Sequence, residues 1–356
     1  MLKDGRPLRV MQLMAGAPQG EAEAFFSRLI IEFHRAGIEQ AVAIRPHEQR
    51  MEELRQAGLA PQAFRFGRGL DVVTGLRLRR MIRRFRPDLV VTWMNRATAA
   101  CPSGDFVHVA RFFGFPDIHR LRAIDQVVVS NATVAAILRR RGLSADRLHH
   151  LPRPVDPAIA EHGLRRRWGV PAEAPLAVSF DATRQRSALE VLLDVVVDIP
   201  AMHLWLVGTA PDEAMRDLIR ARSVADRVSF LGPRGDHGSV LCAADCMINM
   251  TERDDDDIVV AAWASRLPVI STSLDICDGR FEHGRNGLLS PPGNSQALAA
   301  IVRSVLTDRT LRNTIVRGGV EAYNDRWSWG RLLEGEFRFL RQASALGKKT
   351  RPVRDV

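Results

Sequence analysis

Four consecutive carboxylates, Asp254–Asp257, interrupt an otherwise apolar stretch, INMTERDDDDIVVAAWASRLPVIST, from Ile248 to Thr272. Clustered carboxylates are hard oxygen ligands of the kind that hold Mg²⁺ or Mn²⁺. The same residues also suit a solvated turn whose acids favour the N-terminus of a following helix. An altered substrate site is the third reading. The acidic turn demands least of the sequence, and no metal ligand set is assigned. Asn95 and Arg96, in TWMNRAT, directly follow a strand-like run. Doubly wound folds place ligands where strands end, so these two are candidate acceptor-binding residues. His108, in DFVHVARFFG, is expected just after another strand, facing a cleft. Gly208, in GTAPDE, offers backbone to a phosphate, but the segment lacks the Gly-Lys-Ser/Thr ending of a P-loop. Cys101, Cys242, Cys246 and Cys277 show no CxxC spacing and read as ordinary thiols in a reducing compartment.

The elements that must position these residues alternate between strand-like and helix-like runs. PLRVMQLMAG predicts a first strand. EAEAFFSRLIIEFHRAG predicts a helix, with Phe25, Phe26, Leu29, Ile30 and Phe33 at helical spacing and Gly37 closing it. EQAVAIR, LVVTWM and IDQVVVSN predict further strands, and ATVAAILRRRG a further helix. A proline-rich stretch, 153–173, reads as a linker without a core pattern. A second alternating set follows, from PLAVSFDA to PVISTS. Such alternation implies parallel sheets covered by helices on both faces. The expected organisation is 1–152, a first Rossmann-like domain; 174–325, a second; 326–345, a helix crossing back; and 346–356, a disordered tail.

The chain has 356 residues, 46% of them hydrophobic, enough for two ordinary cores. No apolar run reaches the ~18 residues of a membrane span, and the start shows no signal-peptide architecture. The net charge of +10 is uneven: residues 1–150 hold 24 Arg/Lys against 14 Asp/Glu, and residues 151–356 hold 27 against 27. A basic first half suits an anionic membrane surface or an anionic acceptor. GLRLRRMIRRFRPD is its clearest amphipathic basic segment. With one tyrosine and no interleaved basic and aromatic surface, nucleic acid is not an expected partner.

In number and order, several segments resemble the family 4 glycosyltransferases, retaining sugar-nucleotide enzymes of the GT-B architecture. GAPQGEAEAFFSRLI resembles their first glycine-rich loop and helix, which makes Gly16 and Gly20 candidate donor contacts. HLPRPVDP resembles the entry to their second domain. LWLVGTAPDE, RVSFLG and AAWASRLPVIST resemble second-domain elements. HGRNGLLSPPGNSQALAAIVRSVLTDRTLR is the most specific match, and RWSWGRLLEGEF resembles the helix that crosses back. The resemblance implies two doubly wound Rossmann-like domains with a cleft between them. It also implies a nucleotide-sugar donor on the second, held by helix N-termini and a basic pair without a metal or other cofactor. On that pattern Arg184 and Arg186 would neutralise the diphosphate, His108 would sit near the sugar, and Glu252, Asp257 and Glu282 would address the donor.

The sequence departs from that pattern where the donor should bind. The family's first glutamate falls on Arg253 and its second, seven residues later, on Ala261; the glycine after the first falls on Asp256. An alanine accepts no hydrogen bond from a ribose hydroxyl, a loss of about 1–3 kcal/mol per contact. Asp181 replaces a basic residue, Gly279 a glutamate, Asp275 and Ile276 a glycine pair, and Glu21 a first-domain glycine. The expected function is transfer of a sugar, with retention, to a glycan or lipid-linked acceptor in cell-surface polysaccharide or lipopolysaccharide biosynthesis. The expected location is the cytoplasm, extending to the inner face of the cytoplasmic membrane. The alternative is a non-catalytic descendant that binds or assembles with an active enzyme.

Overall fold

The computed structural model describes residues 6–345 except 68–70, 183–184, 209, 235, 251–255 and 274–275; the side chains of 256 and 278 are also outside it. The chain forms two compact units: one runs to Arg153 and resumes at Leu332, the other spans Pro154–Arg331.

The first unit is built on seven parallel strands: β1 (Arg9–Met14), β2 (Glu39–Ile44), β3 (Pro61–Ala63), β4 (Leu89–Trp93), β5 (Val107–Phe112), β6 (Gln126–Val129) and β7 (Leu148–His150). They lie in the order β3-β2-β1-β4-β5-β6-β7. The connecting helices are α1 (Glu21–Arg35), α2 (Glu48–Gln56), α3 (Val72–Phe85), α4 (Met94–Ala100) and α5 (Ala132–Arg140). Phe25, Phe26, Leu29, Ile30 and Phe33 bury one face of α1, as their spacing predicts. Asp71 caps α3 by accepting from Thr74 N–H at 3.0 Å, and Asn131 caps α5 by accepting from Val134 N–H at 3.0 Å. β5 was not among the strands expected from sequence, although all six of its residues are buried. Its run, VHVARF, lacks the alternation of a one-sided strand because both of its faces are covered.

The second unit holds β8 (Leu176–Phe180), β9 (His203–Val207), β10 (Val228–Gly232), β11 (Cys246–Asn249), β12 (Val269–Ser271) and β13 (Leu288–Leu289). Their order is β10-β9-β8-β11-β12-β13, again all parallel. Its helices are α6 (Leu164–Arg167), α7 (Arg186–Asp198), α8 (Glu213–Ala221), α9 (His237–Ala243), α10 (Asp256–Ala264), α11 (Ser295–Thr307) and α12 (Arg309–Arg326). Alternate residues of β9 feed two cores. Leu204 and Leu206 pack with Leu192, Val196, Leu298 and Val302, while Trp205 and Val207 pack with Val240, Val260, Trp263 and Trp327. Helices therefore cover both faces of this sheet.

From Pro154 on, the stretch read as a linker is part of the second unit. Leu164 and Val170 are buried in its core, Val155 N–H donates to Trp327 O at 3.2 Å, and Tyr323 Oη donates to Val155 O at 2.8 Å. Its apolar residues are too sparse to show a period, yet Val155, Leu164, Trp168 and Val170 pack in or against that core, while Ile159 stays 84% exposed. The last helix, α13 (Trp329–Ala345), packs on the first unit from Leu332 onward, with Phe337 5.5 Å from Phe33 and Phe339 4.7 Å from His149.

Candidate functional site

In each sheet the strand order reverses once, between β1 and β4 in the first unit and between β8 and β11 in the second. The crevice outside the C-terminal ends of strands at such a reversal is where open parallel sheets take ligands. In the first unit this edge carries the loop after β1, with Gly16 and Gly20, and the residues after β4, Asn95 and Arg96. In the second it carries the turn after β8, leading to Arg186, and the first turn of α10, with Asp257, after β11.

The first-unit loop is held from within. Glu23 is buried, and its Oε1 accepts from Ala17 N–H at 2.7 Å. Arg50 of α2, also buried, donates from Nη2 to Ala17 O at 3.0 Å and to Pro18 O at 2.9 Å. Burial lowers the Arg50 pKa, with Glu23 and Glu53 opposing that shift. A Cβ on Gly16 would fall 2.5 Å from Glu23 Oε1, and one on Gly20 would strike the same carboxylate. A side chain at either glycine would therefore displace the Glu23 carboxylate from its bond to Ala17. Asn95 ties the loop after β5: its Oδ1 accepts from Asp117 N–H at 2.9 Å and its Nδ2 reaches Phe115 O at 3.4 Å. Arg96, half-buried beside it, makes no ion pair among the described residues.

His108 is not at this edge. It is the second residue of β5, paired in register with Val90, and 5% exposed. Its Nε2 lies 3.0 Å from Thr92 Oγ1 and its N–H donates to Asp125 Oδ2 at 2.8 Å. It is a bonded histidine within the sheet, and the expectation that it faces a ligand is corrected. The strand holding His108 ends four residues later, at Phe112.

On the second unit, Arg186 is the first residue of α7, and its side chain is 70% exposed. Its Nε donates to Glu190 at 3.0 Å, an i,i+4 surface pair of small worth that a ligand phosphate can displace. Asp257 is exposed in the first turn of α10. Ala261 packs against the core from the same helix. Glu252 and Arg184 lie outside the described residues, as do Arg253, Asp254 and Asp255. Gly208, with φ 127°, donates its N–H to Gly232 O at 3.0 Å, so that N–H is not free for a phosphate. A Cβ there would lie 2.7 Å from Asp181 Oδ1.

Glu282 is placed on the wrong edge for a donor contact. It precedes β13 in a parallel sheet, so it sits where strands begin, and it pairs with Arg285 at 3.0 and 2.9 Å. The neighbouring Asn286-Gly287 turn is structural. Asn286 Oδ1 accepts from Glu282 N–H at 2.8 Å, its Nδ2 donates to Arg280 O at 2.8 Å, and its O accepts from Trp263 Nε1 at 2.8 Å.

Two sets of buried polar residues escaped the sequence reading. Ser179, Asn249, Ser271 and Ser290 line the C-terminal side of the second sheet. Ser179 Oγ donates to Ile248 O at 2.7 Å and Asn249 Nδ2 to Ser271 Oγ at 3.2 Å, while Ser290 Oγ has no partner among the described residues. In the first unit Arg111, near the end of β5, makes a bidentate pair with Glu336 of α13 at 2.6 and 2.5 Å. Its guanidinium lies 4.9 Å from the Trp93 ring. In both sets the signal was a polar residue inside an apolar run.

Residues 177–308 match the family model described as glycosyl transferases group 1. The matched segment runs from the second residue of β8 through β13 and thus includes the C-terminal ends of all six strands. A curated relative, the lipopolysaccharide core biosynthesis glycosyltransferase LpsE of Rhizobium meliloti, is 25% identical over 87% of this chain and 92% of its own. Among solved structures, a glycosyltransferase from Rickettsia africae superposes with a TM-score of 0.74 at 14% identity, covering 95% of this chain and 99% of that one. The HepE protein of Anabaena, in complex with UDP, gives 0.69 at 18% identity, over 94% and 99%. At those identities the structures show the fold: two parallel-sheet α/β domains of the GT-B glycosyltransferase kind. The group 1 match and the relative together support a glycosyltransferase.

Proposed function

We propose that this protein moves a sugar, with retention, from a nucleotide sugar to a glycan or lipid-linked acceptor in the biosynthesis of lipopolysaccharide or another cell-surface polysaccharide. The observation that carries the reading is the second-unit edge itself. It combines a strand-order reversal, the group 1 match, and the N-termini of α7 and α10 after β8 and β11. Helix N-termini favour anions. In this reading they receive the diphosphate, and Arg186 with Arg184 stabilises it as it leaves, so no metal is needed. Retention follows when the departing diphosphate and the incoming hydroxyl share one face of the sugar. Glu252 contacts the sugar hydroxyls. Asn95 and Arg96 receive the acceptor. UDP bound to HepE and the core-biosynthesis relative support the donor and acceptor classes.

A second reading, a non-catalytic binding or assembly partner, is favoured by one observation. Ala261 stands on α10 where the family pattern has a glutamate, and its half-buried methyl packs against the core. Calorimetric titration with UDP, GDP and ADP, with and without Mg²⁺, separates the two. Micromolar binding without metal, weakened about tenfold or more by Arg186→Ala, supports the transferase. Binding only with Mg²⁺ makes the aspartate run a metal site. No binding in any arm leaves the non-catalytic reading.

A further inference from the structure

The outer face of α3 has no partner among the described residues. Val72, Val73 and Leu76 are 61%, 66% and 58% exposed, three of the six large apolar side chains that stand out on the surface among the described residues. The buried face is Thr74, Leu78 and Ile82. At 3.6 residues per turn, Val72, Leu76, Arg79, Arg80 and Arg83 point the opposite way. From Val72 to Arg86 the sequence carries six arginines and no acid. Arg77 rests 4.4 Å over the Phe64 ring, whereas Arg79, Arg80, Arg83 and Arg84 are exposed and form no ion pair among the described residues.

An aliphatic first turn followed by an arginine face is the pattern of a helix that lies in a membrane interface. We propose that α3 docks the first unit on an anionic phospholipid surface, with Val72, Val73 and Leu76 inserted below the headgroups and Arg79, Arg80 and Arg83 on their phosphates. Charge complementarity selects the occupant, and the aliphatic side chains separate it from nucleic acid: the outer face has no aromatic ring on which a base would stack. The topology gives the docking a purpose. α3 follows β3, so its apolar first turn lies toward the edge where strands end, the edge that carries Asn95 and Arg96. A lipid-linked acceptor held in the membrane would enter there. Docking itself stands apart from sugar transfer, since it needs no donor.

The test is co-sedimentation of the full chain with vesicles of phosphatidylcholine alone and of phosphatidylcholine with 30% phosphatidylglycerol. Binding to the anionic vesicles only is expected. Each arginine near such a surface strengthens partitioning about fivefold, so neutralising three gives roughly a 100-fold loss for Arg79→Gln/Arg80→Gln/Arg83→Gln. Val72→Ser/Val73→Ser/Leu76→Ser should keep weak binding at low salt and lose it at 0.3 M salt, where the charge term is screened. All six sites are exposed, and circular dichroism confirms that each variant folds. Equal binding to both vesicle types, no binding to either, or unchanged binding by the arginine variant would overturn the proposal. Loss by the arginine variant alone, with the serine variant indistinguishable from wild type at both salts, would overturn the insertion of the apolar turn.

Discussion

Glu336→Leu tests how the last helix is attached to the first unit. Glu336 is fully buried and Arg111 is 5% exposed, and the two meet through a pair of hydrogen bonds of 2.6 and 2.5 Å. Removing the carboxylate leaves a buried guanidinium without its counter-charge. Breaking a buried pair from one side costs about 3–5 kcal/mol. The Trp93 and Phe25 rings, 4.9 and 5.7 Å from the guanidinium, remain and cannot supply a counter-charge. Replacing both partners by apolar residues of similar volume is expected to cost little, because no charge is then buried. Arg111→Met/Glu336→Leu should therefore recover to within about 1 kcal/mol of the native protein, against the 3–5 kcal/mol lost by the single variant. The chain has two units, so a single unfolding curve mixes them. Urea-dependent hydrogen exchange on peptides from β4, β5 and α13 reports the first unit separately. A single variant within 1 kcal/mol of wild type, or a double variant as weak as the single one, would refute the reasoning.

Three further outcomes follow from packing and ionisation. Gly318→Ala places a Cβ against the Arg285 carbonyl, and Gly287→Ala strikes the Phe281 ring and lies 2.9 Å from Val269 O. Each should destabilise the second unit by about 1–3 kcal/mol through overpacking, read by hydrogen exchange of its own peptides, whereas Gly330→Ala, with open space, should not. Burial lowers the His149 and His203 pKa values below the ordinary histidine value. Their neutral forms are favoured in the fold, so stability present above about pH 6.5 is lost as pH falls toward the folded values. Thermal unfolding at pH 7.5 and 5.5 should show that loss, and His149→Gln should reduce its first-unit share. Burial pushes the Cys246 thiol up to about 12. With Ellman's reagent at pH 8 the native protein should leave Cys246 unmodified until denaturant is added; rapid native modification would contradict its burial.

The fold was legible because its signal is repeated. Each βα step restates the same alternation, so missing β5 did not hide the doubly wound plan. What failed were inferences that hang on one residue. His108 was placed by assuming a strand end that lies four residues further on. Glu282 was placed near a motif without asking on which edge of a parallel sheet a loop before β13 must lie. Leu164 and Val170 carry no period because each fills a single slot. Arg111 and Glu336 were readable in principle. Glu336 interrupts the apolar stripe Leu332, Phe339, Leu340, Ala343, and a charge in such a stripe needs a buried partner. The identity of that partner, 225 residues away in sequence, is tertiary information. The departures at Asp181, Asp256 and Ala261 were visible at once, but what they do to a ligand depends on side chains and backbone around them.

The most direct test of the donor edge is hydrogen exchange of the full chain with and without saturating UDP. The account predicts slower exchange in peptides covering 181–187 and 250–262, which follow β8 and β11, and no change across 281–289 at the opposite edge. Protection confined to 281–289, or none anywhere in the second unit at millimolar UDP, would contradict the claim that the edge between β8 and β11 holds a nucleotide diphosphate.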